Sequence, residues 1–447
     1  MSLLNNKVFK NASWIIGCKI AQAILGLVVS MLTARYLGPA NFGVLNYAAS
    51  IVAFVAPIMN LGISSVLVQE FVAKKDDDGA ILGTATTLCF ISSFFCIAGV
   101  FAFTLVANSS EPETIIVCVL YSILLIFQAL ELVQYWFQAK YLSKYVSIIM
   151  FIAYVVVSAY KILLLVFDKG IYWFAVSQAF DYFLIAIGML IVYKKLGGGK
   201  LSFSFATAKR LLKNGKYYIL SNMMITIFAN TDKIMIKLMI DDTAAGLYSA
   251  GVACAGMTGF VFSAIIDSFR PLIFECKGTE SVNYEKNVSR LYCIVIYLSL
   301  LQSVIMAVFA DIIVKLLYGA EYAGATNVLR VIVWYTTFSY LGSVRNVWML
   351  AENKQKYLWL INVSGALLNV ILNFALIPII GIIGAALASL VTQIFTNVVI
   401  GYIIRPIWHN NFLMLKGLNL RLLFAKKGDR LNEHNEKLEE ENERIDD

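Results

Sequence analysis

The sequence predicts an all-α polytopic membrane protein of about twelve transmembrane helices, arranged as two six-helix pseudo-repeats around a central cavity. Three observations predict it. The 447 residues are 60% hydrophobic and only 14% charged, too few charges to clothe a water-facing surface of that size. Apolar stretches long enough to cross a bilayer, about 20 residues each, recur from end to end. Matching landmarks appear in the same order in both halves of the chain.

The apolar stretches place helices at 11–33, 42–68, 80–107, 114–137, 145–167 and 171–193, then at 216–240, 246–275, 288–316, 324–350, 356–379 and 382–405. The expected organisation is a first bundle over 1–193, a cytoplasmic linker over 194–215, a second bundle over 216–405 and a polar cytoplasmic tail over 406–447. The opening MSLLNNKVFK leads into a stretch too long for a signal peptide, with no small-residue cleavage site, so the first helix is expected to be retained. Leu431, Leu438 and Ile445 are spaced by seven in the tail, but one apolar residue per heptad points to a solvated segment rather than a coiled coil.

The net charge of +8 is a matter of topology. Lys7, Lys10, Lys74, Lys75, Lys140, Lys144, the seven basic residues from Lys194 to Lys216, Lys277, Lys286, Arg290, Lys354 and Lys356 fall on one side. The opposite loops hold little beyond Arg35 and Lys169. The positive-inside rule then puts both termini in the cytoplasm, which requires an even number of helices. No basic patch on a soluble fold is present to bind nucleic acid, so no such partner is expected. Seven scattered cysteines without CxxC spacing favour inert thiols over disulfides or metal.

The repeat is specific in its details. Asn11 and Asn214 each precede an apolar helix, and Gly43 and Gly246 each follow 32 residues later, an offset of 203 between halves. Trp136, Ala139, Lys144 and Tyr145 match Trp348, Ala351, Lys356 and Tyr357 at an offset of 212. Six helices per half give both repeats the same orientation, hence a pseudo-two-fold along the membrane normal and a cleft between halves.

Charge inside a span costs roughly 2.5–3.5 kcal/mol at mid-helix on insertion scales, so such residues usually face a cavity or a partner. Lys19, Gln22, Gly26 and Ser30 form a polar stripe on the first helix; Asn222, Thr226, Asn230, Lys233 and Lys237 form one on the seventh. The offset of 203 carries Lys19 onto Asn222 and Ser30 onto Lys233, so the same face is polar in both halves. Lys161, Arg270 and Arg345 add cations, and Asn362, Asn369 and Asn373 an amide stripe. Glu131, Asp181, Asp232 and Asp267 are the intramembrane acids and the ion-coupling candidates. Cations outnumber them, and a basic lumen suits an anionic substrate, with amides and tyrosines for sugar hydroxyls. Lys19, Gln22, Lys161, Asn222, Asn230, Lys233, Arg270 and Arg345 are therefore the candidate substrate-binding residues.

Plainer roles stand beside these. Lys237 is near a helix end and able to snorkel, Asp267 with Arg270 is able to form a structural ion pair, and Arg35 suits an interface. Asp232 points to a different helix face from Lys233 and suits a packing contact. Gly381, Gly384, Ala385 and Ala388 make a small-residue packing surface. GGGKL lacks the spacing of a phosphate-binding loop and suits a flexible linker start. The only histidines, His409 and His434, lie beyond the last helix, so no catalytic triad, metal site or cofactor is expected.

Four segments carry a resemblance: ARYLGPANFGVLNYAAS, NTDKIMIKLM with GLYSAG, LLYGAEYAGA, and NFALIPIIGIIGAALAS. In that order, across Asn11 to Arg405, they resemble the Wzx-like polysaccharide flippase family of the multidrug/oligosaccharidyl-lipid/polysaccharide exporter superfamily. The resemblance implies a MATE-like fold in the bacterial inner membrane. It also implies a non-enzymatic flippase moving undecaprenyl-pyrophosphate-linked repeat units of O-antigen or capsule to the outer leaflet by alternating access. Polymerase and chain-length proteins of the same pathway are the partners it points to. A drug/cation antiporter of the same superfamily would lead with acids rather than lysines. A peptidoglycan-precursor flippase would carry extra helices. A membrane-embedded glycan polymerase would need a long outer loop, and every outer loop here is short.

Overall fold

A computed structural model describes residues 7–73, 76–279 and 281–424. Among them the regular structure is helical, without strands: α1 (Lys7–Met59), α2 (Leu67–Ala73), α3 (Asp78–Ala107), α4 (Pro112–Ser122), α5 (Leu124–Leu130), α6 (Gln134–Ala139), α7 (Ser143–Val166), α8 (Ile171–Lys195), α9 (Phe205–Met239), α10 (Asp242–Gly256), α11 (Gly259–Thr279), α12 (Ser281–Val308), α13 (Ala310–Tyr318), α14 (Ala325–Ala351), α15 (Leu358–Ile394), α16 (Ile400–Ile403), α17 (Trp408–Lys416) and α18 (Arg421–Phe424). The spacing of Leu431, Leu438 and Ile445 lies outside the described residues.

All twelve expected segments are helical, but several run together or break. Helix α1 contains the first expected helix and most of the second, which ends at Met59 rather than 68, and is hinged at Gly38 (φ 70°, ψ 170°) just before Pro39. Helix α15 contains the eleventh and most of the twelfth, hinged at Gly381 (φ 60°, ψ −140°) three residues after Pro378. Both hinges need a positive φ that glycine alone takes without strain. By length and apolarity, seven helices among the described residues are able to cross a membrane, or eight if α10 and α11, bent by 41°, form one span. Two of the seven, Ala21–Met59 and Gln355–Ile403, cover two expected helices each. Helices α9 and α14 fall short because Asn222, Asp232, Lys233, Arg330 and Arg345 interrupt their apolar runs. Phe95 and Val106 of α3 are 74% and 85% exposed, as lipid-facing positions are.

The chain divides into two compact units: 1–260 with 306–333 and 359–392, and 261–305 with 334–358 and 393–447. In the first unit α1 packs against α10, α9, α7, α4 and α3. At its crossing with α10 a Cβ on Gly43 would fall 1.8 Å from the Asp242 carbonyl oxygen, and one on Gly246 would fall 1.9 Å from the Pro39 carbonyl oxygen. The offset of 203 that pairs Gly43 with Gly246 also pairs Pro39 with Asp242. The contact is therefore reciprocal, each residue meeting the equivalent of its partner's neighbour, which is the form a two-fold axis passing through a crossing imposes.

The same end of this unit is closed by polar clamps. Lys237 is buried and paired to Glu111 at 2.6 Å and to Asp242 at 2.5 Å, so it is held inside rather than snorkelling. Asn108 joins them, donating to Glu111 at 3.1 Å and accepting from the Tyr47 hydroxyl at 2.8 Å. Burial raises the Glu111 pKa, but the bond and charge of Lys237 outweigh it and hold the carboxyl below its ordinary value. Arg35 donates to the carbonyls of Leu316 and Leu317, and Tyr322 donates to that of Ala34 at 2.7 Å.

The glycine-led linker is docked, not free. Ser202 N–H donates to the Gly79 carbonyl at 3.2 Å, Ser204 N–H to the Thr84 hydroxyl at 2.9 Å, and Tyr193 to the Gly199 carbonyl at 3.0 Å. The bare backbone of Gly79 and Gly83 admits this strand of chain, since a Cβ at either would strike the linker backbone within 2.5 Å. Ser204 then caps α9, and Arg210 of its first turns pairs with Glu70 at 2.8 Å and Asp76 at 2.6 Å. The Thr207 hydroxyl and the Arg210 guanidinium on Asp76 hold its carboxyl below the usual value. A depressed carboxyl contributes stability above its unfolded pKa, about 3.9, and loses it as pH falls through the folded value. Protection of the linker amides from hydrogen exchange, corrected for the intrinsic pH dependence of exchange, should therefore persist from neutral pH to about pH 4 and decline below that. Asp76→Asn should show a less protected linker already at pH 6; identical protection profiles for the two proteins would refute the clamp.

Candidate functional site

The candidate residues gather into three polar sites, two in the first unit and one in the second. The first is a cavity of about 200 Å³ lined by Gly26, Ser30, Thr33, Asn46, Tyr121, Tyr154, Lys161 and Gln178, with Phe42, Val29, Leu45 and Ala49. Gly26 leaves room for the Tyr154 hydroxyl, which a Cβ there would meet at 2.3 Å. Lys161 and Asp181 are within electrostatic reach of one another yet form no ion pair within 4.0 Å. One Asp181 oxygen is buried with no hydrogen-bond partner. Glu131 is buried too, accepting from Gln134 at 3.3 Å. Gln22 is half-buried on α1, and the side chain of Lys19 lies outside the described residues.

The second site centres on Asp232 of α9, which is 7% exposed. Its carboxylate accepts from the Tyr248 hydroxyl of α10, from the Ser389 hydroxyl of α15, and from the Asn373 amide of α15 at 2.6 Å. Asn373 also donates to Asn369 at 3.0 Å, and the Asn369 amide reaches Ser389 at 3.4 Å. Every donor is neutral, and no cationic side chain lies within ion-pair distance among the described residues. The Asn373 side-chain oxygen Oδ1 is buried without a partner. Asp232 is thus a packing contact in one sense, as its helix face predicts, and a buried oxygen cluster in another.

Lys233, the next residue, is within electrostatic reach of Asp232 but forms no ion pair or hydrogen bond among the described residues. Asn222, Asn230 and Lys233 are all half-buried on the same stripe of α9, with the Asn230 amide bonded to the Thr226 carbonyl at 3.1 Å. The Asn222 and Lys233 side chains are the members of the stripe without a bond among the described residues.

The third site, in the second unit, is a pocket of about 430 Å³ between α11 and α14. Ser263, Asp267, Arg270, Ser343 and Asn346 supply its polar wall, with Ile266, Val347 and Leu350. Asp267 and Arg270 pair at 3.0 Å, both about half exposed, so the pocket carries one salt bridge open to a ligand. Arg345 is placed elsewhere. It is 6% exposed and donates to the Thr396 carbonyl and, at 3.4 Å, to Asn346. Thr396 sits in the π-helical turn Phe395–Val399, where widened backbone geometry frees carbonyls for such a donor.

Tyr121, Tyr154, Gln178, Tyr248 and Ser389 complete these sites without having been marked by the sequence. The amide pair Asn369 and Asn373, four residues apart, is the one signal that pointed toward the Asp232 cluster.

A family profile described as polysaccharide biosynthesis protein matches residues 8–277. The chain is 23% identical over 389 residues to a putative O-antigen transporter of Escherichia coli (strain K12), covering 83% of this chain and 90% of that protein. It is 22% identical over 399 residues to the capsular polysaccharide biosynthesis protein CapF of Staphylococcus aureus, covering 86% and 96%. The lipid II flippase MurJ in an inward closed conformation aligns with a TM-score of 0.70 at 15% identity, over 92% of this chain and 91% of that one. An inward-facing MATE family multidrug resistance transporter aligns at 0.65 and 14% identity, over 88% and 96%. At these identities the two structures show a shared fold and nothing about substrate.

Proposed function

The chain belongs to the polysaccharide biosynthesis protein family, and on that premise we propose that it flips undecaprenyl-pyrophosphate-linked oligosaccharide repeat units from the cytoplasmic to the outer leaflet of the bacterial inner membrane. The observation that carries the reading is Lys233, a cation on α9 that makes no ion pair within 4.0 Å and no hydrogen bond among the described residues. A pyrophosphate carries at least two negative charges, and desolvating even one ion costs several kcal/mol or more. An unpaired lysine is a counter-charge held ready for it. Lys161 in its tyrosine- and amide-lined cavity and Arg270 in its open pocket extend the same chemistry, with hydroxyls and amides for the sugars.

Six helices in each of 1–193 and 216–405, joined by 194–215, would rock about the Gly43–Gly246 crossing, with both termini cytoplasmic. The Asp232 cluster, with Asp181, Glu131 and Asp267 as further candidates, would couple an ion to that motion. Purified protein in liposomes loaded with a fluorescent polyprenyl-pyrophosphate oligosaccharide tests the proposal. Outer-leaflet glycan, read by a membrane-impermeant glycosidase, should appear faster than in empty liposomes. A rate equal to the empty control, with drug cations moved instead, would replace the flippase by an antiporter.

A further inference from the structure

Beyond the last span the chain turns and builds a helix that carries an apolar stripe on its outer face. Ile404 is extended (φ −90°, ψ 93°), Arg405–Ile407 make one 3₁₀ turn around Pro406, and α17 follows. A helix facing water hides its apolar side chains, but here Trp408, Phe412 and Leu415, spaced i, i+4, i+7, are 57%, 51% and 50% exposed. The hidden face holds Asn410 and Asn411 beside Leu413 and Met414. The Tyr292 hydroxyl donates to Asn410 at 2.8 Å, and Asn411 donates to the Val398 carbonyl at 2.8 Å. Gly401 makes room for Asn411, since a Cβ there would strike its amide at 2.3 Å. Tyr297 fixes the far end by donating to the Leu418 carbonyl at 2.7 Å. The helix is thus pinned with its apolar stripe outward.

Charge identifies what covers the stripe. No Asp or Glu occurs between Glu352 and Asp429, while Arg405, Lys416 and Arg421 flank the stripe on both sides. Lys416 is paired with Glu285 at 3.2 Å, but Arg405 and Arg421 are exposed and make no ion pair among the described residues. Arg405 follows directly on the span that ends at Ile403, which sets this segment at headgroup depth. We propose that α17 lies in the plane of the membrane interface and binds anionic phospholipid. Trp408, Phe412 and Leu415 enter the acyl boundary, and Arg405 and Arg421 take headgroup phosphates.

Two measurements on the full chain test this. A photoreactive benzoylphenylalanine at position 412, irradiated in native membranes, should form adducts with the mass of phospholipid. Adducts chiefly with a second copy or another protein, or none at all, would overturn the proposal. In nanodiscs, replacing part of the phosphatidylcholine by phosphatidylglycerol should raise the Tm of the unaltered protein by several degrees. The Arg405→Gln/Arg421→Gln variant, whose replaced side chains make no ion pair or hydrogen bond among the described residues, should forfeit at least half of that rise. An equal rise in the variant would also overturn it.

Discussion

Lys233→Ala should abolish surface polysaccharide in a complemented deletion strain while leaving as much protein in the membrane as before, or more. The two halves of that result have one cause. A cation inside a span without a partner is unfavourable to the fold by roughly 2.5–3.5 kcal/mol on insertion scales, so removing it cannot weaken packing that it does not support. If the same charge stabilises the crossing pyrophosphate by about 3 kcal/mol, its loss slows flipping about a hundredfold, at 1.36 kcal/mol per decade. Lys233→Arg keeps the charge on a longer, planar group and should retain part of the export. Arg270→Ala should also abolish export, because it leaves the Asp267 carboxylate, now 3.0 Å from nothing, facing an anion in the 430 Å³ pocket. Lys169, exposed on a loop, is the control whose neutralisation should do little. Surface glycan is to be measured together with membrane abundance for each variant. Normal export from well-expressed Lys233→Ala and Arg270→Ala would end the cationic mechanism.

The helices were legible because lipid imposes long apolar runs, and their breaks because Gly38 before Pro39 and Gly381 after Pro378 interrupt them. The repeat was legible from residues that later meet: the spacing that matched Gly43 with Gly246 had no means of showing that they touch. Periodicity names the face of a helix but not what the face meets. It left Lys237 as a helix-end cation when Glu111, 126 residues earlier, holds it. It put Arg345 with the substrate residues when its guanidinium serves a π-helical carbonyl. Ser389 lies 157 residues from Asp232 at the end of a run of small residues, where composition points to packing alone. Trp408 and Phe412 fell in a segment expected to be a polar tail, because Asn410 and Asn411 between them hide the stripe from a composition count.

Asp232→Asn should uncouple transport from its driving ion. The carboxylate sits 7% exposed among Tyr248, Ser389 and Asn373, three neutral donors from two other helices. Neutral hydrogen bonds satisfy its lone pairs but do not cancel its charge, and an uncancelled charge in a low dielectric is costly. A small cation or a proton entering the cluster would cancel it, and the unpartnered Asn373 oxygen beside it is one more acceptor for such an ion. The ion would then tie α9, which also carries Lys233, to α10 and α15 in one state of the cycle and release them in the other. Asparagine keeps the shape and removes the charge. Its NH₂ faces hydroxyls able to turn and accept, so the cost to stability should stay within about 1–3 kcal/mol, the range for one ill-matched buried polar group. The reconstituted flipping assay is to be run first with Na⁺ varied at fixed pH, then with pH varied at fixed Na⁺. The unaltered protein should respond steeply to one of the two, and Asp232→Asn to neither, with a residual rate at least tenfold lower. A variant that keeps the full ion response would reduce Asp232 to a structural tie, and Asp181→Asn in the first cavity would be the next carboxylate to test, since one of its oxygens is buried without a hydrogen-bond partner.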